Sequence, residues 1–435
     1  MGKKRKKNNL SIYMKYLLFT LITSITLSST LAAENENNAH LELSDHIHSV
    51  VTNLNEKDQF SGAVLIAKNG DPIYSLAIGQ ESKEFNIENK LHTRFDLGYN
   101  SSIFTLIGIC KLIDQGKLKL DDTINKYISS KLLPKVNLSS IKIIHLLTNS
   151  SGLGNMYNNQ MRGGYSLWER SNKELYTTVN DYMHLVSTEG LSFMPGEKNQ
   201  RSTTAILLLG AIIEEVSGES FYSYISKEVF KKANMNDSGF YSLSSPMQNI
   251  ATGYAHKPGY LQNNLFFRAA KGSPASGAYT TVGDLLKFVN SLNNLSLTSK
   301  KMFDQIFTPY MKLDEASSSR AGIGPSESYQ GLIFNIAYLD SVPSSGAKKP
   351  VGDKLVPTGI KELPSHRYIA HLDFVEPHYS VCIDMIEPSG YSIFVLSNYG
   401  DLGKSFSQSP SMMITSKVRR FILNSFRRGK LLETK

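Results

Sequence analysis

The chain has 435 residues, 41% hydrophobic and 20% charged, which is enough to bury a large core and too apolar for a disordered chain. Its formal net charge is +9, but residues 1–33 hold six Lys and Arg and no Asp or Glu, so the remainder carries only +3. That balance excludes nucleic acid as the expected partner, since such binding needs a concentrated basic face; two cysteines are too few for a disulfide framework.

A basic run, Lys3 to Lys7 with Lys15, precedes an apolar run of 12 residues from Tyr16 to Leu27, and small residues follow up to Ala33. Basic, apolar and small in that order predict a signal peptide over residues 1–33 and an exported mature chain. The apolar run is shorter than the roughly 20 residues that span a bilayer, so no transmembrane helix is expected in the mature chain. Residues 34–44 are polar and are expected to be a flexible lead-in. One domain is expected over 45–426, with a tail at 427–435.

Phe60 to Gly79 predicts a β-hairpin, with Asn69-Gly70 as a two-residue turn whose residues both tolerate positive φ. Asn100 to Gln115 predicts a helix that is apolar nearly all round, and therefore buried among other elements. Further helices are predicted over Ala205 to Val216 and Val282 to Asn290. Residues 343–363, rich in Pro, Gly, Ser and Lys, are expected to form an exposed loop. Strands follow at Tyr379 to Ile386 and Tyr391 to Leu396, then a helix from Ser411 to Phe426. Strands at both ends with helices between them predict an α/β (α+β) fold: an antiparallel sheet built from about 45–95 and 325–426, flanked by helices, with a helical part over about 100–320.

Cys110 and Cys382 sit in apolar runs and are expected to be buried thiols, with a disulfide between them left open. His366, His371, Asp373 and His378 do not share the spacing of a metal site, so no metal is expected. The cluster Lys417, Arg419, Arg420, Arg427, Arg428 and Lys430 is expected to be the solvated face of the terminal helix.

Several stretches carry a family likeness. They include Phe60-Ser-Gly-Ala-Val-Leu-Ile-Ala, Thr93-Arg-Phe-Asp-Leu-Gly, Gly116-Lys-Leu-Lys-Leu-Asp-Asp, Ile144-His-Leu-Leu-Thr-Asn-Ser-Ser-Gly-Leu, Pro195-Gly-Glu, the Leu207 run, Met235-Asn-Asp-Ser-Gly-Phe, Pro274-Ala-Ser-Gly-Ala-Tyr-Thr-Thr and Val395-Leu-Ser-Asn. In order and spacing, from about residue 45 to 425, they resemble the serine β-lactamase and penicillin-binding-protein-like hydrolases of the class C, D-peptidase and esterase branch. The resemblance implies a β-lactamase/transpeptidase-like fold, acyl transfer through a serine, no cofactor, and a periplasmic or secreted location.

The three motifs of that family are degenerate here. The S-x-x-K motif sets a Ser and a Lys one helical turn apart, so that the amine can take the hydroxyl proton. Aligned on Leu97-Gly98 and Phe104-Thr105, Tyr99 stands at the Ser position and Ser102 at the Lys position. The Y-x-N motif falls on Arg201-Ser202-Thr203, with Arg201 and Thr203 replacing Tyr and Asn. The H/K-x-G motif, expected on an edge strand, falls on His371-Leu372-Asp373, or after a slide on Asp373-Phe374-Val375; neither places Gly third. The S-x-x-K spacings at Ser139 to Lys142 and Ser345 to Lys348 lie outside the motif's context.

Loss of all three motifs implies a pseudoenzyme with a binding or scaffolding role. The alternative is a serine hydrolase with a rearranged site, in which Tyr99, Ser101 or Ser102 is the nucleophile, acting on an ester, a peptide or a β-lactam. Arg201 suits a carboxylate, so a small acidic ligand or a peptide is the expected occupant of the former cleft. No oligomeric state is expected from the sequence.

Overall fold

The computed structural model describes residues 34–155, 168, 171–186, 190–313, 328–338, 368–387, 389–400 and 408–427. Residues 34–56 form helix α1. Strands β1 (Gly62–Lys68) and β2 (Asp71–Ile78) make the expected hairpin, with Asn69 at φ 52° and Gly70 at φ 89°, the left-handed pair that suits a two-residue turn. The chain then leaves the sheet for α2 (Ser102–Asp114), α3 (Ile143–Leu147), α4 (Thr203–Ser217) and α5 (Val282–Asn293). It returns with β3 (Met311–Lys312), β4 (Ser328–Gln330), β5 (Asn335–Tyr338), β6 (Tyr368–Glu376), β7 (Tyr379–Glu387) and β8 (Tyr391–Ser397), followed by α6 (Pro410–Arg427).

The eight strands form one antiparallel sheet in the order β2-β1-β8-β7-β6-β5-β4-β3. Its centre joins the two ends of the domain: β1 pairs with β8 from Gly62 opposite Ser397 to Lys68 opposite Tyr391. Both faces are covered, which is why β1 and β8 are buried throughout instead of alternating with solvent. On the front face Ala63, Leu65, Leu372, Ile383 and Leu396 pack with residues of α2, α4 and α5. On the back face Val64, Ile66, Ile369, Cys382 and Val395 pack with α1 and α6.

Helix α2 is buried on nearly every side, with Ile103, Phe104, Leu106, Ile107 and Ile109 fully inaccessible; each such side chain contributes about 1.5–3 kcal/mol. Gly108 lets it close on its neighbours, since a Cβ there would lie 2.8 Å from methyl groups of both Ile213 and Ile225. Helix α4 is capped by Ser202, whose hydroxyl accepts from the Ala205 N–H, and stops at Gly218 in the left-handed conformation.

Three sequence expectations need correction or completion. Residues 34–44 are not a free lead-in but the first turns of α1. Ala39 and Leu43, with Ile47 and Val51, recur at helical spacing and bury one stripe on the back of the sheet, hidden in the sequence by the polar residues between them. Arg419 is not on a solvated face: it is 2% exposed, and its Nε and Nη2 donate to the two carboxylate oxygens of Asp384 at 2.5 and 2.6 Å. Cys110 and Cys382 are free buried thiols on opposite sides of the sheet, so they cannot pair. The expected leader over 1–33, the loop over 343–363 and the tail at 428–435 lie outside the described residues.

Candidate functional site

The start of α2 is tied down before its chemistry can be judged. Phe95 and Asp96 pair with Thr280 and Tyr279 in a short antiparallel ladder. The Leu97 N–H donates to Ala278 O at 2.9 Å, and the Ser101 hydroxyl both donates to Gly98 O at 2.6 Å and accepts from the Ala278 N–H at 3.0 Å. Gly98–Ser101 is a single 3-10 turn leading into α2. A cavity of about 450 Å³ opens beside this turn, lined among others by Asp96, Tyr99, Arg201, Thr203, Arg268 and Glu376. That volume falls within the range of small-molecule sites.

Tyr99, at the family's serine position, is 2% exposed. Its hydroxyl donates to Asn149 Oδ1 at 2.9 Å, and the Arg201 guanidinium carbon lies 4.8 Å from the ring centre. Burial pushes the phenol up to about 12, against the opposing pull of Arg201 and Asn149. It is therefore protonated at neutral pH and is a poor nucleophile. Thr203, the first residue of α4, donates to Asn155 Oδ1 at 2.5 Å on the cavity wall. Ser102, at the lysine position, is fully buried, and its hydroxyl finds no hydrogen-bond partner among the described residues. So Tyr99, Arg201 and Thr203 meet at the cleft, and Ser102 does not reach it.

His371 and Asp373 lie elsewhere. They share a face of β6 with Ile369, which packs in the back-face core, while Leu372 packs in the front-face core. Strand alternation thus turns His371 and Asp373 toward α6, away from the cleft. His371 Nδ1 and Asp373 Oδ1 are 3.0 Å apart, both side chains buried. Burial pushes the Asp373 carboxyl up, but the hydrogen bond and charge of His371, with Arg201 and Arg419, outweigh it and hold the group below its ordinary value. Strand β6 is an edge only in part: residues 368–371 pair with β5, and the ladder on that side ends at His371.

Asp96, Glu376, Arg268 and Lys257 are charged residues of the cleft that no family motif includes. Asp96 lies in the Thr93-Arg-Phe-Asp-Leu-Gly stretch, and its carboxylate accepts from the Gly98 N–H at 2.8 Å. Burial raises its pKa, with Gly98, Arg268 and Tyr279 acting in opposition. Glu376, at the end of β6, is pushed up to about 7 by burial and by the negative charge of Asp96, with Arg201 pulling the other way. Arg268 has its guanidinium carbon 5.1 Å from the Tyr279 ring centre, and its Nε and Nη2 are buried without hydrogen-bond partners among the described residues. Asp96 falls in a family stretch and Glu376 directly follows Asp373-Phe374-Val375, the slid H/K-x-G alignment, whereas Arg268 belongs to no such stretch.

The cleft offers charged and hydroxyl groups to a ligand. Among the described residues no lysine amine hydrogen-bonds Ser101 or Ser102, and the Ser101 proton is committed to Gly98 O. Ser139 and Lys142, the chance S-x-x-K spacing, sit apart from the cleft: the Ser139 hydroxyl donates to Asn137 Oδ1 at 2.6 Å, and Lys142 pairs with Asp121 at 2.8 Å. Ser345 and Lys348 lie outside the described residues.

Comparison with known proteins agrees with this fold. The Beta-lactamase family model matches residues 47–326. A penicillin-binding protein of Bacillus subtilis (strain 168) is 28% identical over 295 residues, covering 64% of this chain and 62% of the relative, so the chain spans about three fifths of that protein. The crystal structure of a penicillin binding protein from Bacillus halodurans superposes with a TM-score of 0.68 at 21% identity, covering 86% of this chain and 98% of the other. A class C beta-lactamase superposes with a TM-score of 0.65 at 19% identity, covering 87% and 96%.

Proposed function

The chain belongs to the Beta-lactamase family, and on that premise we propose that it is an exported, non-catalytic member that binds a small acidic ligand or peptide in its cleft. Tyr99 carries the proposal. Where the family's acyl transfer needs a small hydroxyl with an amine one turn on, this chain has a bulky phenol hydrogen-bonded to an amide, with a serine three residues later whose hydroxyl has no partner among the described residues. A phenol held at about 12 gives up its proton far less readily than an activated serine. Loss of one member of such a catalytic unit already costs several powers of ten in rate. The ligand class follows from Arg201 and Arg268 in the cleft, because a guanidinium fork matches a carboxylate. Export is supported by the order of residues in 1–33.

Labelling of the purified protein with a fluorescent penicillin and with a fluorophosphonate, read by intact mass, tests inactivity. No adduct is expected. A stoichiometric adduct mapped to one cleft side chain would establish a rearranged serine or tyrosine hydrolase instead. Weaker retention of carboxylated ligands by Arg201→Ala and Arg268→Ala is expected; equal retention by wild type and both variants removes the acidic-ligand assignment. Fractionation of cells making the full chain, with the mature N-terminus read by mass, tests export.

A further inference from the structure

Charges of both signs meet in the cleft without closing into pairs. Asp96, on the short ladder with Tyr279, and Glu376, at the end of β6, line the same cavity, and neither has an ion pair within 4.0 Å among the described residues. After burial, the charge of Asp96 is the cause that pushes Glu376 up to about 7, so the two carboxyls lie near enough to repel. The guanidinium groups sit over rings instead: the Arg201 carbon is 4.8 Å from the centre of the Tyr99 ring, and the Arg268 carbon 5.1 Å from that of Tyr279. Nε and Nη2 of Arg268, one edge of its fork, are buried with no hydrogen-bond partner among the described residues. His378, 7% exposed on the same wall, likewise has no such partner for its Nε2. Burial, with the charge of Lys257, holds that imidazole down at about 4, so it is neutral at pH 7 and leaves Glu376 without a cation there.

The Nε and Nη2 edge of Arg268 presents two parallel N–H donors, the arrangement that a carboxylate fills. A carboxylate alone would bring a third negative group beside Asp96 and Glu376, in buried surroundings that screen charge poorly. A cation seated between those two side chains removes their repulsion. Among the described residues no three His, Cys, Asp or Glu side chains come together to hold a metal ion. An ammonium suits the place better, since its three N–H donors can be met by two carboxylates and one further acceptor such as a neutral imidazole nitrogen. The walls add apolar faces: Trp168 and Tyr182, stacked with ring centres 6.4 Å apart, and Tyr241.

We infer that the cleft takes a zwitterion, with its carboxylate on Nε and Nη2 of Arg268 and its ammonium between Asp96 and Glu376, as a free amino acid with an aromatic side chain would offer. The zwitterion presupposes a cleft that binds a small carboxylated ligand, as proposed above, and adds the cationic half.

The test uses the full chain and three probes that share an indole and differ in charge: tryptophan, as each enantiomer; indole-3-propionate, which lacks the amine; and tryptamine, which lacks the carboxylate. In calorimetry at about pH 6, one enantiomer of tryptophan is expected to bind at least about tenfold more tightly than either half. Glu376 is still largely protonated there, and an ammonium beside it favours the ionised form, so tryptophan should release protons on binding. The observed heat then depends on the ionisation enthalpy of the buffer. An anion without the ammonium has the opposite sign and takes protons up. Glu376→Gln should bind tryptophan about tenfold more weakly, without that proton release, and should hold indole-3-propionate at least as well as the wild type, which shows the cleft intact. Arg268→Ala should weaken tryptophan and indole-3-propionate and spare tryptamine. The zwitterion is overturned if indole-3-propionate binds the wild type as tightly as tryptophan, or if Glu376→Gln leaves tryptophan binding unchanged while indole-3-propionate still binds; a carboxylate site remains in both cases. If tryptamine alone binds, or none of the three, the carboxylate site falls and the zwitterion with it.

Discussion

Behind the sheet, Arg419 donates to both oxygens of Asp384, and His371 lies 3.0 Å from Asp373, all four side chains sealed under α6. In front, Asp96 and Glu376 share a cleft wall with Arg201 and Arg268, and neither carboxylate has an ion pair within 4.0 Å among the described residues. The pKa directions differ accordingly: His371 and the arginines hold Asp373 below its ordinary value, while burial and mutual repulsion hold Glu376 above its own. Charge that is paired internally serves to hold helix and sheet together. A carboxylate at a cavity that has no ion pair among the described residues is available to something that enters it.

The sharpest way to break this contrast is at the back. Arg419→Ala should cost about 3–5 kcal/mol in denaturant unfolding, because Asp384 is then buried with no counter-charge. The double replacement Arg419→Met with Asp384→Leu should recover most of that loss, since it removes both charges and keeps the volume. If the single and double variants unfold alike, the pair is not what secures α6.

At the front, Glu376→Gln should act in the opposite direction. The folded state holds the Glu376 proton more tightly than the unfolded chain, since the group rises from 4.5 to about 7. Its contribution is therefore complete below pH 4.5 and is lost as the pH climbs to about 7. Above that range the Gln variant should be the more stable by on the order of 2 kcal/mol, with a flatter stability profile. Glu387, also pushed up to about 7 by burial at the end of β7, keeps its own titration in both proteins. Parallel profiles for wild type and variant would mean that Glu376 ionises freely.

Smaller effects sharpen the local picture. Tyr99→Phe removes the hydrogen bond to Asn149 and should lower the unfolding free energy by about 1 kcal/mol. Ser102→Ala should be neutral or stabilising by about 0.5 kcal/mol, because the hydroxyl it removes has no partner to lose. A clear loss of stability in Ser102→Ala would point to a polar contact that the buried hydroxyl does make.

Much of the architecture was legible because it rests on local patterns. The Asn69-Gly70 turn, the all-round apolar run of α2 and the closing strands each carry their signal within a few residues. Helix α1 was missed because its stripe is thin, Ala39 and Leu43 standing among Glu and Asn. The cleft was legible only where family motifs point: Tyr99, Arg201 and Thr203 meet there. His371 and Asp373 fit the motif spacing, but a one-residue difference in strand phase sends both to the other face, and spacing alone does not fix that phase. Asp96, Glu376 and Arg268 come together from three distant stretches, so no short window holds their relation. Arg419 misled for a related reason: as one of several basic residues on a terminal helix it resembles its solvated neighbours, and only Asp384, on β7, distinguishes it.

The pairing of β1 with β8 also governs when the protein can fold. Ser61 and Ser397 are hydrogen-bonded across 336 positions of chain, and the two central strands depend on each other for half of their ladder. Until the last strand has been made, the first hairpin has an open apolar edge and no partner. Contacts of such long range close slowly, and the waiting edge invites wrong pairings. Newly made chain should therefore depend on holding chaperones until synthesis nears its end, and a break anywhere before β8 should give insoluble protein, not a smaller folded one.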